Sequence, residues 1–234
     1  MIALHVMAAV MALAFPAWDF YEAKRLRTSR HPLARTRCYI RCLAVLWLAT
    51  FAAMAIMPLA SLWNAPPGMR TLMGETSPDF GLVMVAALSV GLLAPLVLAW
   101  FHTGTRERIF EQLKEIDYLL PQSRSEIALF AGVSVTAGIC EEVLFRGFLF
   151  AYLHSSPWNL DPLTIVMVSS AMFGIAHLGQ GVKGVLLTGM IGAALGILYV
   201  VTGSLLAPIV LHILIDLRAT ALCHLRATTL RQPA

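Results

Sequence analysis

In this chain of 234 residues, 59% of the side chains are hydrophobic and only 13% charged, with a mean hydropathy of +0.76; that is too few charges to cover a water-soluble fold. The bilayer is the fitting solvent, and this length suits one integral membrane domain over 1–234 rather than two domains. A net charge of +4 is the ordinary result of basic loops facing anionic lipid and calls for no nucleic acid.

A helical span needs roughly 20 apolar residues. The windows 1–18, 38–63, 80–101, 126–152, 162–178, 184–203 and 204–223 meet or approach that length. They predict an all-α, polytopic transmembrane bundle of about seven spans, eight if one segment is split; the alternation of a β-barrel is missing. The window 1–18 has no basic residues ahead of it and many behind it. It reads as a retained helix with its N-terminus outside rather than as a cleaved leader.

The stretch 24–41 carries Lys24, Arg25, Arg27, Arg30, Arg35, Arg37 and Arg41, and 102–125 carries Arg106, Arg108, Lys114 and Arg124. The intervening 64–79 has only Arg70, so 19–37, 102–125 and the C-terminal tail are expected in the cytoplasm. Asn64-Ala65-Pro66-Pro67-Gly68 has turn chemistry. Over 106–121, Ile109, Leu113, Ile116 and Leu120 recur between charges, predicting a short amphipathic helix on the cytoplasmic surface, a connector rather than a lid. Gly192 and Gly196 form a GxxxG packing signal. Cys38, Cys42, Cys140 and Cys223 form no CxxC pair, which indicates neither a disulfide framework nor a thiolate metal site.

Of 13 acidic residues, only Glu141, Glu142 and Asp216 lie well inside an apolar run. Arg146 is deep in the same window as the two glutamates, and His177 and His212 lie in the last three windows. Each costs a few kcal/mol to insert, so each needs a partner or a task. Glu142 and Arg146 are four apart with the acid first, the favourable helical order for an ion pair. Glu141 points about 100° away from Glu142 and must find its partner on another helix or in a hydrated cavity. His212 and Asp216 share one helix face, as do Phe173 and His177. A carboxylate, two imidazoles and a second carboxylate converging from three helices suit general acid–base chemistry, and a histidine four residues before an aspartate suits tautomer fixing. A polar network that only locks the bundle, in a scaffold or transport protein, is the alternative reading.

In order along the chain, Glu141–Arg146 reads EExxxR, Phe173–His177 reads FxxxH, and His212–Asp216 reads HxxxD. These motifs, spanning roughly 125–220, resemble the CAAX-protease and bacteriocin-processing family of glutamate-type intramembrane proteases. The resemblance implies a catalytic core over 125–220 in which Glu141, assisted by His177, activates a water. His212 and position 216 would stabilise the oxyanion, while Glu142, Arg146 and Phe173 would hold the geometry. It further implies metal-free hydrolysis without cofactor, a membrane-anchored or lipid-modified peptide or protein as substrate, and the inner membrane of a bacterial cell as location.

The family often has Asn where this chain has Asp216. An ionised aspartate only accepts hydrogen bonds, so Asp216 is expected to orient His212 instead of donating to the oxyanion. A rival set would use the two histidines and one carboxylate to hold zinc. Depth sets a further condition. Glu141 lies about 22 Å from the start of its span, whereas His177 is near the end of the next. They meet only if the connection Gly179-Gln180-Gly181 dips inward and lines a hydrated cavity.

Overall fold

The computed structural model describes residues 1–69, 78–155 and 157–229, without the side chains of 78, 79, 82, 92, 93, 96, 112 and 224–229. Arg70 and the last residues of the C-terminal tail lie outside the described residues. The regular structure is helical, and the one isolated bridge among the described residues pairs Asn64 with Ser204.

Helix α1 spans Ile2–Thr28, ten residues beyond its apolar window, and α2 spans Ala34–Ile56. Near its middle α1 widens into a π turn over Val10–Ala14, where the Phe15 N–H bonds Val10 O five residues back. Pro16 follows directly and has no N–H to give the regular four-residue ladder, and the wide turn accommodates that gap. A short α3 (Leu59–Trp63) leads to α4 (Pro78–Phe101) and α5 (Thr103–Leu113), which ends in a 3-10 turn over Lys114–Ile116.

Helix α6 spans Arg124–His154. Ser123 caps it by accepting the Glu126 N–H, and the Glu126 carboxylate reaches back to the Gln122 N–H. Helix α7 (Pro162–Ile175) starts from Asp161, whose side chain accepts the Thr164 N–H, with Pro162 at the first helical position. Then come α8 (Gly181–Thr202) and α9 (Leu206–Thr229). Five segments, Ile2–Thr28, Ala34–Ile56, Arg124–His154, Leu178–Thr202 and Leu206–Cys223, are long and apolar enough to cross a membrane. Helix α7 is apolar but shorter, and α4 occupies the window 80–101. The expected polytopic helical bundle is the observed architecture.

The core gathers around the second half of α6. Leu144, Phe145, Phe148 and Phe150 are buried there with Met11, Phe173, Tyr199 and Leu205. Large apolar side chains such as Leu48, Val90, Val182 and Met190 stand outward, as they do when lipid is the solvent. Both basic stretches collect at one end, where Arg35 pairs with Glu126 at 3.3 Å and Arg41 with Glu22 at 2.5 Å. Part of the basic stretch 24–41 is therefore committed to partners within the protein. Near Trp63, Ala65 N–H donates to Gly203 O and Leu205 N–H to Trp63 O, pinning the end of α3 to the turn between α8 and α9.

Helices α6 and α9 approach closely at Gly138, where a β-carbon would stand 2.9 Å from Ile213 N. No rotamer change can clear a backbone atom, so Gly138→Ala is expected to force the helices apart. The expected cost is about 1–3 kcal/mol, checked as a lower thermal unfolding midpoint in detergent.

Candidate active site

Glu141 and Glu142 are the last α-helical residues of α6 before a π turn over Val143–Phe148. Such turns free a backbone group and redirect the side chains around them. Here Ser169 on α7 donates to Phe145 O at 2.7 Å, so the altered stretch is tied to the neighbouring helix. The expected pair forms across this turn: Arg146 Nη1 donates to Glu142 Oε1 at 2.8 Å, and neither side chain is exposed at all. Arg146 Nη2 donates to Gly192 O at 2.9 Å, and the guanidinium lies 4.5 Å from the centre of the Phe173 ring. The Phe173 ring also meets His177 and His212, at centroid separations of 4.9 and 5.7 Å. One aromatic ring thus separates the buried cation from both imidazoles.

His177 Nδ1 is 2.8 Å from Phe173 O. A carbonyl only accepts, so Nδ1 carries the hydrogen and Nε2 faces Glu141 Oε2 at 4.0 Å. His212 Nδ1 lies 2.7 Å from Glu142 Oε1, and its Nε2 is 3.7 Å from Glu141 Oε2 and 3.8 Å from Asp216 Oδ2. Buried Glu141 Oε2 has no hydrogen-bond partner among the described residues, although two imidazole nitrogens face it. These gaps exceed a direct hydrogen bond.

All four chemistry-bearing residues named from the sequence, Glu141, His177, His212 and Asp216, line one cavity of about 500 Å³. Two readings change. The carboxylate bonded to His212 is Glu142 on α6, not Asp216 four residues along, because the ring is turned with Nδ1 toward α6. Ile109, Leu113, Ile116 and Leu120, expected on a surface connector, also line the cavity, so α5 and the segment after it cover the site.

The depth condition is met by a short helix. Helix α7 has only 14 residues, about 21 Å, and His177 comes just after its C-cap Ala176. The connection is a 3-10 turn over Leu178–Gln180 with Gly179 buried. Sequence reasoning missed Ser169, Gly138 and the carbonyl of Gly192. Of these only Gly192 had a signal, and the GxxxG spacing reported packing, not an arginine ligand. Cys38, Cys42, Cys140 and Cys223 are free thiols, and among the described residues no three His, Cys, Asp or Glu side chains form a metal-binding group.

Residues 123–218 match the family model described as type II CAAX prenyl endopeptidase Rce1-like. That segment, about two fifths of the chain, is similar to the family. The match bears out the resemblance to CAAX-type proteases, and the matched residues contain every motif from Glu141 to Asp216. It places a peptidase-family segment within a multi-pass membrane protein. No curated protein and no solved structure matches the chain.

Proposed function

We propose that the chain is a glutamate-type, metal-free intramembrane endopeptidase acting on a membrane-anchored or lipid-modified peptide or protein. The observation that carries this reading is the unpartnered Glu141 Oε2 facing two imidazole Nε2 atoms at 3.7 and 4.0 Å inside a cavity. The spaces are too wide for direct bonds and suited to a bridging water. Glu141 accepts a proton as the water oxygen bonds to the substrate carbonyl carbon, and His177 Nε2 accepts the water's other hydrogen bond. The carbonyl oxygen becomes an oxyanion beside His212. The tetrahedral intermediate collapses as the C–N bond breaks, and Glu141 returns its proton to the leaving amine.

His212 already gives its Nδ1–H to Glu142, so its donation to the oxyanion comes from Nε2 as imidazolium. Glu142 and Asp216 flank that ring, and Asp216 serves as its counter-charge. Asp216→Asn is accordingly expected to lower kcat about tenfold, a modest fraction of what one oxyanion-hole donor contributes. Increased activity together with loss of the acidic limb of the pH profile would instead assign position 216 to direct donation.

The cavity's many apolar wall residues favour an acyl-anchored or signal-like segment. The basic end of the bundle is assigned to the cytoplasm, with the N-terminus outside and the chain in a bacterial inner membrane. The test compares membrane proteomes of cells carrying the wild type and Glu141→Ala. Uncleaved precursors should accumulate with the variant and clear with the wild type even under exhaustive chelation. Identical proteomes would reject the peptidase, and loss of clearance on chelation would favour zinc.

A further inference from the structure

We propose that α1, which lies wholly outside the matched residues, positions His177 by latching the Gly179 peptide group between Asp19 and Arg27, with Tyr118 as a second donor. The inference rests on the role given above to Glu141 and His177.

Gly179 sits two residues past His177 in the 3-10 turn, and both polar groups of its backbone are held from outside that turn. Its N–H donates to Asp19 Oδ2 at 2.6 Å. Its carbonyl accepts from Arg27 Nη2 at 2.7 Å and from Tyr118 Oη at 3.0 Å. The Arg27 guanidinium lies 4.4 Å from the centre of the Tyr118 ring, so the two donors also brace each other. A carboxylate on the N–H and a guanidinium on the carbonyl are charge-assisted bonds, stronger than neutral ones.

The sequence of α1 is built for this contact. Asp19, Ala23 and Arg27 follow at four-residue intervals and share one helix face. Ala23 between the two charged residues keeps that face low. Gly179 completes the fit, because a β-carbon there would stand 2.6 Å from Ala23 Cβ and 2.8 Å from Asp19 O. Substitution at Gly179 would therefore separate α1 from the turn.

This matters for His177 because α7 has already ended. His177 has a non-helical backbone, with φ −105° and ψ 29°, and its carbonyl accepts the Gln180 N–H within the same turn. The bond from Nδ1 to Phe173 O sets the rotation of the ring, but the turn sets where the ring is carried. Asp19 also lines the cavity with His177, which places the latch at the wall of the reaction space. Asp19 and Arg27 touch no reacting atom in this scheme; they are positioning residues.

Two measurements on the full-length protein test the latch separately from the peptidase reading. The first is hydrogen–deuterium exchange of peptides covering 176–182 in detergent. Asp19→Ala should exchange at least about tenfold faster there with the rest of the bundle unchanged, and Asp19→Asn, which keeps an acceptor oxygen, should stay near the wild type. The second is cleavage of the precursor that accumulates with Glu141→Ala. Asp19→Ala should lower kcat by up to about 10²-fold at nearly constant KM, since displacements near 1 Å cost that much, and Asp19→Asn should restore most of it. Unchanged exchange in Asp19→Ala overturns the latch. Faster exchange with unchanged kcat, or an Asp19→Asn variant as inactive as Asp19→Ala, overturns the positioning role. Absence of any precursor with Glu141→Ala overturns the peptidase reading instead, and the exchange result stands by itself.

Discussion

Glu141→Gln is expected to cut kcat for the accumulating precursor by about 10²–10⁴-fold, the usual contribution of a general base, with little change in KM. Glutamine matches the glutamate in size and keeps one acceptor oxygen, so cavity shape and substrate binding are preserved. It cannot take up a proton from water at neutral pH, and the residues facing it cannot replace that function. His177 has one nitrogen committed to Phe173 O, and His212 has one committed to Glu142. Single-turnover cleavage in proteoliposomes checks the prediction. Turnover within a few-fold of the wild type would sink the assignment of Glu141 and favour a scaffold whose polar network is only structural.

Arg146→Met is expected to cost about 3–5 kcal/mol of stability, the typical penalty for removing one partner of a buried ion pair, and to abolish cleavage. The substitution takes the arginine partner from Glu142 and the side-chain donor from Gly192 O, in a region where neither charged side chain was exposed. The double variant Glu142→Leu/Arg146→Met removes both charges and should regain much of the stability. It should remain inactive, because His212 Nδ1 then lacks the carboxylate that orients it. Unfolding in detergent and cleavage by the same preparations check both halves. Recovery of activity in the double variant would mean that Glu142 serves the fold alone.

The helical bundle was legible because lipid permits so few solutions: apolar windows of spanning length, without alternation, must be helices. The deep polar residues were legible for a related reason, since charge inside an apolar run is costly and stands out. The partner of each was less legible. Spacing along one helix correctly paired Glu142 with Arg146, yet for His212 it favoured Asp216 over the carboxylate that reaches across from α6. Which nitrogen faces which helix depends on rotation and depth, and neither is written in a four-residue interval. Asp19 and Arg27 fell within 19–37 and Tyr118 within 102–125, both expected in the cytoplasm. Their role depends on the inward turn at Gly179, which requires α7 to be short. The amphipathic helix itself was legible, but what its apolar stripe faces was not. An apolar stripe fits a lipid surface and a cavity roof equally well, and only the packing distinguishes them.

On the proposed peptidase reading, the cover formed by α5 and the segment after it separates the choice of substrate from the cutting of its bond. Ile109, Leu113 and Ile116 close over a chamber in which Glu141, His177, His212 and Asp216 come from α6, α9 and the turn after α7. Roof and reactive floor are thus carried by different stretches of chain, and only the floor falls within residues 123–218. Changes in the roof can alter which side chains or acyl groups fit while the spacing of Glu141, His177 and His212 stays fixed. A chamber divided in this way lets the choice of cargo drift while the cutting chemistry stays the same.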